Sequence, residues 1–351
     1  MTFKFNETRK VGRTALNLPL LGLGTVQIGG WPRRLPEEKA LEALQGSWDL
    51  GIRFFDTAPM YGIGMSEERL GKFLRTKPRD SYKLCTKVGR IVKDQEKTTE
   101  EDAFWRGAPA RKYHFDFSYD GVMRSVDDSI RRMGVDRFDM LLIHDADRHY
   151  DEAIDGAYKA LDRLRADGTV TAIGAGMNQN PMLARFAQDG VMDIFLLAGR
   201  YTLLDHSALD ALFPICEKRG TTILIGGVFN SGMLNDPSPE ASFDYVPADE
   251  KWRENALDHG VRVPEEHETG AYWVARALAI KKICDRYNVP LSAAALQFSA
   301  AHPIVSSIVV GAGRAERIKE NMDYLGLKIP AAMWADLKQA GLVAQHAPVP
   351  A

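Results

Sequence analysis

The sequence is poor in the residues that would tie it to a metal, a disulfide framework, a membrane or a polyanion. Its 351 residues include three cysteines, Cys85, Cys216 and Cys284, with no C-x-x-C pair and no Cys/His spacing of a zinc site. Cys85 and Cys284 sit in apolar runs, which reads as buried free thiols in a reducing cytosol. No stretch approaches the ~20 apolar residues that a membrane span requires, and the opening MTFKFNETRKVGR has no apolar core of a secretory signal. The 45 Lys and Arg nearly cancel the 47 Asp and Glu, a net charge of −2, so nucleic acid and anionic lipid find no electrostatic footprint. No repeat, low-complexity tract or linker composition divides the chain. The expectation is one cytoplasmic domain over residues 1–351, a monomer or weak homo-oligomer, with no metal, nucleic acid or membrane among its partners.

What the sequence does have is alternation. Residues 8–18 read as a small hairpin with its turn at Gly12. After it, the apolar runs LPLLGLG, IRFFDT, SYKLCTKVG, RFDMLLIH, TVTAIGAGMN, MDIFLLAG, TTILIGG and SSIVVG alternate with helical patterns. The clearest helix, residues 118–134, places Val122, Val126, Ile130 and Met133 on one face and ends in glycine. Helices over 36–51 and 151–168 also close on glycine, and LSAAALQFSAAHP adds one more before strand eight. Near-continuous apolar strands, each followed by a helix, predict a parallel sheet covered by helices. Eight such units are explained better by a closed (β/α)8 TIM barrel than by an open sheet. Long insertions after strands three and seven, residues 90–117 and 228–268, then fall on the C-terminal face, where active sites of such barrels sit.

Titratable residues recur at the ends of these strands. Asp56 and Tyr61 follow IRFF, Lys87 follows KLCT, and His144 follows MLLI. Singly each is commonplace, the lysine a surface charge and the histidine a structural ring. At neighbouring strand ends of one barrel face they make a single proton-handling site. A phenol with a pKa near 10 works as an acid or base near neutrality when a cation lies beside it. Lys87 supplies that cation, Asp56 holds Lys87 charged and aimed, and His144 hydrogen-bonds a substrate oxygen. Such machinery moves a proton on and off an oxygen while something else moves a hydride.

Other motifs keep two readings. The Gly311-Ala312-Gly313 turn is either a phosphate cradle at a helix start, with Arg314 and Arg317 adding charge, or a tight turn with a solvated arginine face. GLGTVQIGG, residues 22–30, nearly fits G-x-G-x-x-G, but Gln27 replaces the third glycine and the run lies in the first barrel strand. Asp145, directly after His144, either meets a polar substrate or caps a loop. Trp31, Trp105, Phe229 and Trp252 either wall the pocket or pack beneath their own loops.

The motifs LGLGT, RFFDTAPMYG with SEERLG, TKVG, GVMRSVDDSIRRMGVDRFDMLLIH, GAGMN and GAGRAERIKEN together resemble the aldo-keto reductase superfamily over nearly the whole chain. FDFSYDGVMRSVDDS, IHDAD, AGRYTLLD and GVFNSGML look most like its D-threo-aldose 1-dehydrogenase (L-fucose dehydrogenase) and pyridoxal 4-dehydrogenase branch, with L-galactose dehydrogenases nearby. The resemblance implies Tyr61 as catalytic acid/base, tuned by Asp56 and Lys87, with His144 orienting a small-molecule substrate beside Trp31 and Asp145. It also implies a nicotinamide cofactor. Gly24, Thr25, Asp56 and Asn178 would meet it near the ring, Asn178 holding the carboxamide. Gly227, Val228 and Phe229 would meet it after strand seven, and Gly311, Gly313, Arg317, Glu320 and Asn321 would take the adenosine and its phosphates.

Three positions depart from the family pattern. Ala198 stands where strand six usually carries glutamine. Gly226-Gly227-Val228-Phe229 replaces the usual aromatic-Ser-Pro-Leu, which makes Tyr201 the candidate to stack on the nicotinamide. No lysine precedes the GAG turn to clamp a 2′-phosphate, which favours NAD over NADP unless Arg314 or Arg317 compensates. The expected reaction is oxidation of the anomeric C1 hydroxyl of an aldose to a lactone. Alternatives are pyridoxal oxidised to 4-pyridoxolactone, NADPH-dependent aldehyde reduction, and a non-catalytic regulatory subunit, against which the intact set of four argues.

Overall fold

The computed structural model describes residues 2–96, 104–237, 270–311 and 313–350. Strands β1 (Thr8–Lys10) and β2 (Asn17–Pro19) pair antiparallel as the expected hairpin. The barrel strands are β3 (Leu21–Gly24), β4 (Phe54–Asp56), β5 (Lys83–Val88), β8 (Met140–His144), β9 (Ala172–Met177), β10 (Ile194–Ala198), β11 (Thr222–Gly226) and β12 (Val305–Gly311). They close in the order β10-β11-β12-β3-β4-β5-β8-β9, parallel at every pairing. The insertion after β5 is more regular than its charge and proline content suggest. Its arms, β6 (Arg90–Asp94) and β7 (Arg111–Phe115), form a separate antiparallel ribbon. The helical stretch expected over 151–168 contains a π-helical turn at Ala153–Ala157, and the one before β11 is split into Ala208–Ala211 and Phe213–Arg219. Of the insertion after β11, residues 238–268, with Trp252, lie outside the described residues, as does Ala312.

Because side chains alternate faces along a strand, each barrel strand divides its residues between two cores. Phe55, Leu84, Leu141, Ile143 and Phe195 point outward to the helices, whereas Phe54, Cys85, Met140, Leu142, Ile194 and Leu196 fill the barrel. Val11, Leu16 and Leu18 of the hairpin complete that inner cluster and close the barrel's N-terminal end. The hairpin turn presses so closely on the residue before β10 that a Cβ on Gly12 would lie 2.5 Å from the Asp193 carbonyl oxygen, and its φ of +49° adds to the demand for glycine. Continuing the inward parity one step past the apolar layers brings Asp56, Lys87 and His144 to the C-terminal mouth. The fold thus delivers three of the four expected groups by counting alone.

Two histidines outside this mouth are held neutral by packing. Burial pushes His206 and His302 down to about 4, and the Nδ1 of His302 accepts a hydrogen bond from the Ile304 N–H at 3.2 Å. An unfolded histidine titrates near 6.5. Below that pH the unfolded chain therefore binds protons that the folded chain refuses until about 4. The two rings contribute fully above pH 6.5 and progressively less as the pH falls, a loss of roughly 2 kcal/mol per ring by pH 4.5. Calorimetric Tm should decline from pH 6.5 downward; a flat Tm to pH 5 would contradict the neutral, buried assignment.

Candidate active site

The site is organised by one buried ammonium. Lys87 Nζ lies 2.8 and 3.0 Å from the two Asp56 carboxylate oxygens, 2.9 Å from the Thr57 carbonyl oxygen and 3.1 Å from the Tyr61 hydroxyl. Lys87 is 1 % exposed and Asp56 2 %. Burial alone would depress the Lys87 pKa, but Asp56 beside it more than compensates and holds it above the ordinary lysine value. Tyr61 does not follow the simple expectation of a cation-lowered phenol. Burial drives it up, Lys87 draws it down and Asp56 opposes Lys87, leaving the phenol at about 12. The carboxylate that aims the ammonium also cancels much of its charge.

Tyr61 is held by a tight loop between β4 and the helix Met65–Leu74. Its N–H donates to the Ala58 carbonyl at 3.1 Å, and its own carbonyl accepts from Ser66 N–H at 3.1 Å. Ile63, a β-branched residue, sits at φ +50° between two left-handed glycines, a strained conformation of the kind kept at functional sites. Beneath the loop, Ser66 Oγ donates toward Thr25 and lies 3.1 Å from Thr57 Oγ1, while Thr25 Oγ1 donates to the Asp56 carbonyl at 2.9 Å. This hydroxyl cluster braces Asp56 and was not read from the sequence. Neither was Glu67, wholly buried, which accepts from Thr86 Oγ1 and Arg132 Nε, each at 2.8 Å. Ser66 and Glu67 belong to the SEERLG motif, whose serine and first glutamate face inward. That inward turn was the available signal.

His144 closes the set. Its ring stands edge-on to Tyr61 at 5.9 Å. Burial, then Arg90 and Lys87, hold it well below the usual histidine value, so the imidazole is neutral. Its Nε2 lies 3.4 Å from Asp145 Oδ2, and Nδ1 has no hydrogen-bond partner among the described residues. Tyr61, Lys87 and His144 open together into a cavity of about 260 Å³, walled by Val26, Met60, Asn178, Asp145, Ala198 and the aromatic residues Trp31, Phe104 and Trp105. Trp31 stacks on Phe104 with centroids 6.0 Å apart, and Trp105 lies 6.1 Å from Tyr61.

The other side of the mouth is nearly stripped of side chains. At the level of Asp56, Lys87 and His144 the remaining strands present Gly24, Gly176, Ala198, Gly226 and Gly311, linked in register as Gly311–Gly24–Asp56, His144–Gly176 and Ala198–Gly226. A Cβ on Gly176 would come 3.3 Å from Leu196 Cβ and 3.7 Å from Lys87 Cε. A flat ring can lie here against backbone, with Asn178 at the rim, so the residues present fit a nicotinamide. Gly227 is exposed at φ +60°, Val228 is buried and Phe229 is half-buried against the outer core. Gly311 and Gly313 flank the Gln27 side chain, within 3.3 and 3.5 Å of where their Cβ atoms would be. Arg317 is tied to Glu320 at 2.7 Å on the exposed face of the following helix, and Asn321 is buried. Thr25 has its hydroxyl committed to the protein. Tyr201 is removed from the stacking role: it is fully buried in the outer core against Phe213, Phe298 and His302. The parity of the residues after β10 turns it away from the mouth. Among the described residues no group of His, Cys, Asp and Glu is placed to hold a metal.

The aldo/keto reductase family profile matches residues 20–341. The chain belongs to that family. It is 37% identical over 333 residues to a D-threo-aldose 1-dehydrogenase of Pseudomonas sp., covering 93% of this chain and 95% of that one. It is 38% identical over 363 residues to a pyridoxal 4-dehydrogenase of Microbacterium luteolum, covering 98% and 100%. Among solved structures, a glycerol dehydrogenase from Gluconobacter oxydans matches with a TM-score of 0.70 at 22% identity, covering 99% of this chain and 98% of that one. The protein is therefore an NAD(P)-dependent oxidoreductase. The set of four argues for different losses on mutation. Tyr61→Phe should lower kcat by roughly 10²–10⁴-fold, the usual worth of a positioned proton donor, while fluorescence titration shows cofactor affinity little changed. Lys87→Met should also cost about 3–5 kcal/mol in urea unfolding, because Asp56 is left buried and unpaired. Near-wild-type kcat in the first variant, or unchanged stability in the second, would refute these roles.

Proposed function

We propose that the enzyme oxidises the anomeric C1 hydroxyl of an aldose to a lactone, with NAD as the preferred acceptor. The observation that carries this reading is the Asp56–Lys87–Tyr61 chain of contacts opening, with His144, into one cavity, together with the likeness to an aldose 1-dehydrogenase. Bound against the small residues of the mouth, an oxidised nicotinamide supplies the acceptor for the hydride leaving C1. Tyr61, as phenolate, takes the hydroxyl proton while the C1–O bond becomes a carbonyl. Neutral His144 hydrogen-bonds the same oxygen and fixes its distance from Tyr61. Lys87 stabilises the phenolate, and Asp56 keeps Lys87 charged and in place. Asn178 would orient the carboxamide, and Gly24, Gly227, Val228, Phe229, Gly311, Gly313, Arg317, Glu320 and Asn321 would follow the rest of the cofactor. Three buried free thiols suit a cytosolic setting, and no helix among the described residues is long and apolar enough to cross a membrane. We assign the chain to one domain and to a monomer or weak homo-oligomer.

A second reading, oxidation of pyridoxal to 4-pyridoxolactone, is favoured by the aromatic wall of Trp31, Phe104 and Trp105, which suits a flat heteroaromatic ring, and by the pyridoxal 4-dehydrogenase relative.

Absorbance at 340 nm with L-fucose, D-arabinose, L-galactose and pyridoxal, each with NAD and NADP, separates the two. Turnover of sugars alone supports the first, of pyridoxal alone the second, and of none sinks both. Because Tyr61 lies at about 12, the phenolate that oxidation needs becomes more populated as pH rises. Oxidation should therefore quicken steadily from pH 7 to 10, and a rate flat over that range would contradict Tyr61 as the base. For the cofactor, Ala312→Lys should raise NADP use relative to NAD by restoring the missing cation; an unchanged kcat/KM ratio would argue against that account.

A further inference from the structure

Beside His144 lies a second ion pair that the proton-handling set does not use. Arg90 opens β6, is 6 % exposed, and directs Nη2 to Asp145 Oδ2 at 2.8 Å. Its guanidinium lies 5.0 and 4.9 Å from the ring centroids of Tyr113 and Phe115 on β7, and its other arm reaches Met60 Sδ. The antiparallel ribbon thus serves as a mount for this one cation. Asp145 is fixed from the opposite side. Its N–H donates to the Gly176 carbonyl at 3.1 Å, and its φ of +46° turns the side chain off the line of β8. Oδ2 is shared between Arg90 and the neighbourhood of His144 Nε2, whereas Oδ1 has no hydrogen bond to the described residues. Asp145 lines the cavity, and its side chain is 29 % exposed.

A buried arginine held over two rings and one uncommitted carboxylate oxygen at the cavity wall together suit an acceptor rather than a loop cap. We propose that Arg90 is a positioning residue that holds the Asp145 carboxylate beside His144 as the acceptor for a hydroxyl on the substrate carbon next to the reacting one. His144 Nε2 donates to the oxygen of the reacting carbon, and Asp145 Oδ1 accepts from the neighbouring hydroxyl, so the pair selects α-hydroxy carbonyl compounds and the sugars that contain them. The inference rests on the oxidoreductase reading of this pocket and adds the substrate feature it recognises. The charged and titratable groups around Asp145 are Arg90 on the ribbon, Lys87 on β5, Tyr61 on its loop, His144 beside it and Asp147 beyond it. Burial raises the Asp145 carboxyl, and Arg90, then Lys87, pull it back. Without Arg90 the carboxyl takes up a proton more readily and becomes a poor acceptor near neutrality.

Two aldehydes differing by one hydroxyl test this: 2-hydroxypropanal and propanal, each reduced with NADH. Wild type should prefer 2-hydroxypropanal in kcat/KM by about 10-fold or more, since a polar site left unpaired discriminates strongly. Arg90→Met should erase most of that preference at pH 7, chiefly through KM, and the preference should return as the pH is raised and Asp145 ionises. Arg90→Lys should retain part of it. Asp145→Asn should weaken the preference by the same factor at every pH, which also decides the matter if Arg90→Met folds poorly. A wild type without preference, a preference untouched in both Arg90 variants, or a parallel loss on both aldehydes with no pH-dependent return would overturn the proposal. Hydroxyl preference without oxidation of any sugar would remove the aldose reading and leave this one standing. Sugar oxidation without the preference would do the reverse, and turnover of neither aldehyde would overturn the inference.

Discussion

A lysine ammonium buried at the end of a barrel strand is expensive to desolvate, and the mouth of this protein is built to offset that cost. Two carboxylate oxygens, a main-chain carbonyl and a phenol surround Lys87 Nζ within 3.1 Å. A cation so enclosed stays charged only while every partner keeps its place. That requirement explains the depth of the supporting structure: the strained loop carrying Tyr61, the hydroxyl cluster of Thr25, Thr57 and Ser66, and the packed strands beneath. It also shows a tension within the site. Asp56 keeps Lys87 ionised, yet by the same charge it raises the phenol that Lys87 should lower.

The division of the mouth into a polar and a bare half follows from the same economy of side chains. Acid, amine and imidazole occupy adjacent strands β4, β5 and β8, so they meet at contact distance without long reaches. The strands on either side of this trio contribute glycine or alanine at the same level, and what they omit becomes room for a ring. Ala198 offers that room only a methyl group, and Asn178 stands at its rim.

Much of this was legible in the sequence because it depends on strand parity and strand ends. A run such as MLLIH fixes which residues face inward once one of them is known to be core, and Asp56, Lys87 and His144 each continue an inward apolar series. The hairpin, the closed barrel and the family followed from patterns equally local. What escaped was set by partners distant in sequence. Arg90 reads as one more charge in a charged insertion until β6 pairs with β7 and brings Tyr113 and Phe115 beneath it. Tyr201 follows strand six closely enough to suggest an aromatic in the mouth, yet its loop turns it into the outer core beside Phe213. The Tyr61 shift depends first on its burial and then on the opposing charges of Lys87 and Asp56, which no residue spacing discloses.

The alternation that places Asp56, Lys87 and His144 also limits how this chain can change length. Removing a single residue within β5, between Cys85 and Lys87, would turn the ammonium toward the helices and bring an outward residue into the barrel. A two-residue change would keep the facing but shift the level. The barrel strands are therefore nearly closed to insertions and deletions, even conservative ones. Phe104 and Trp105, at the described end of the segment joining β6 to β7, line the pocket from outside any strand and follow no such alternation. Change in this enzyme is thereby channelled into the rim, where a difference in length alters the pocket wall without moving the buried Asp56–Lys87 pair below.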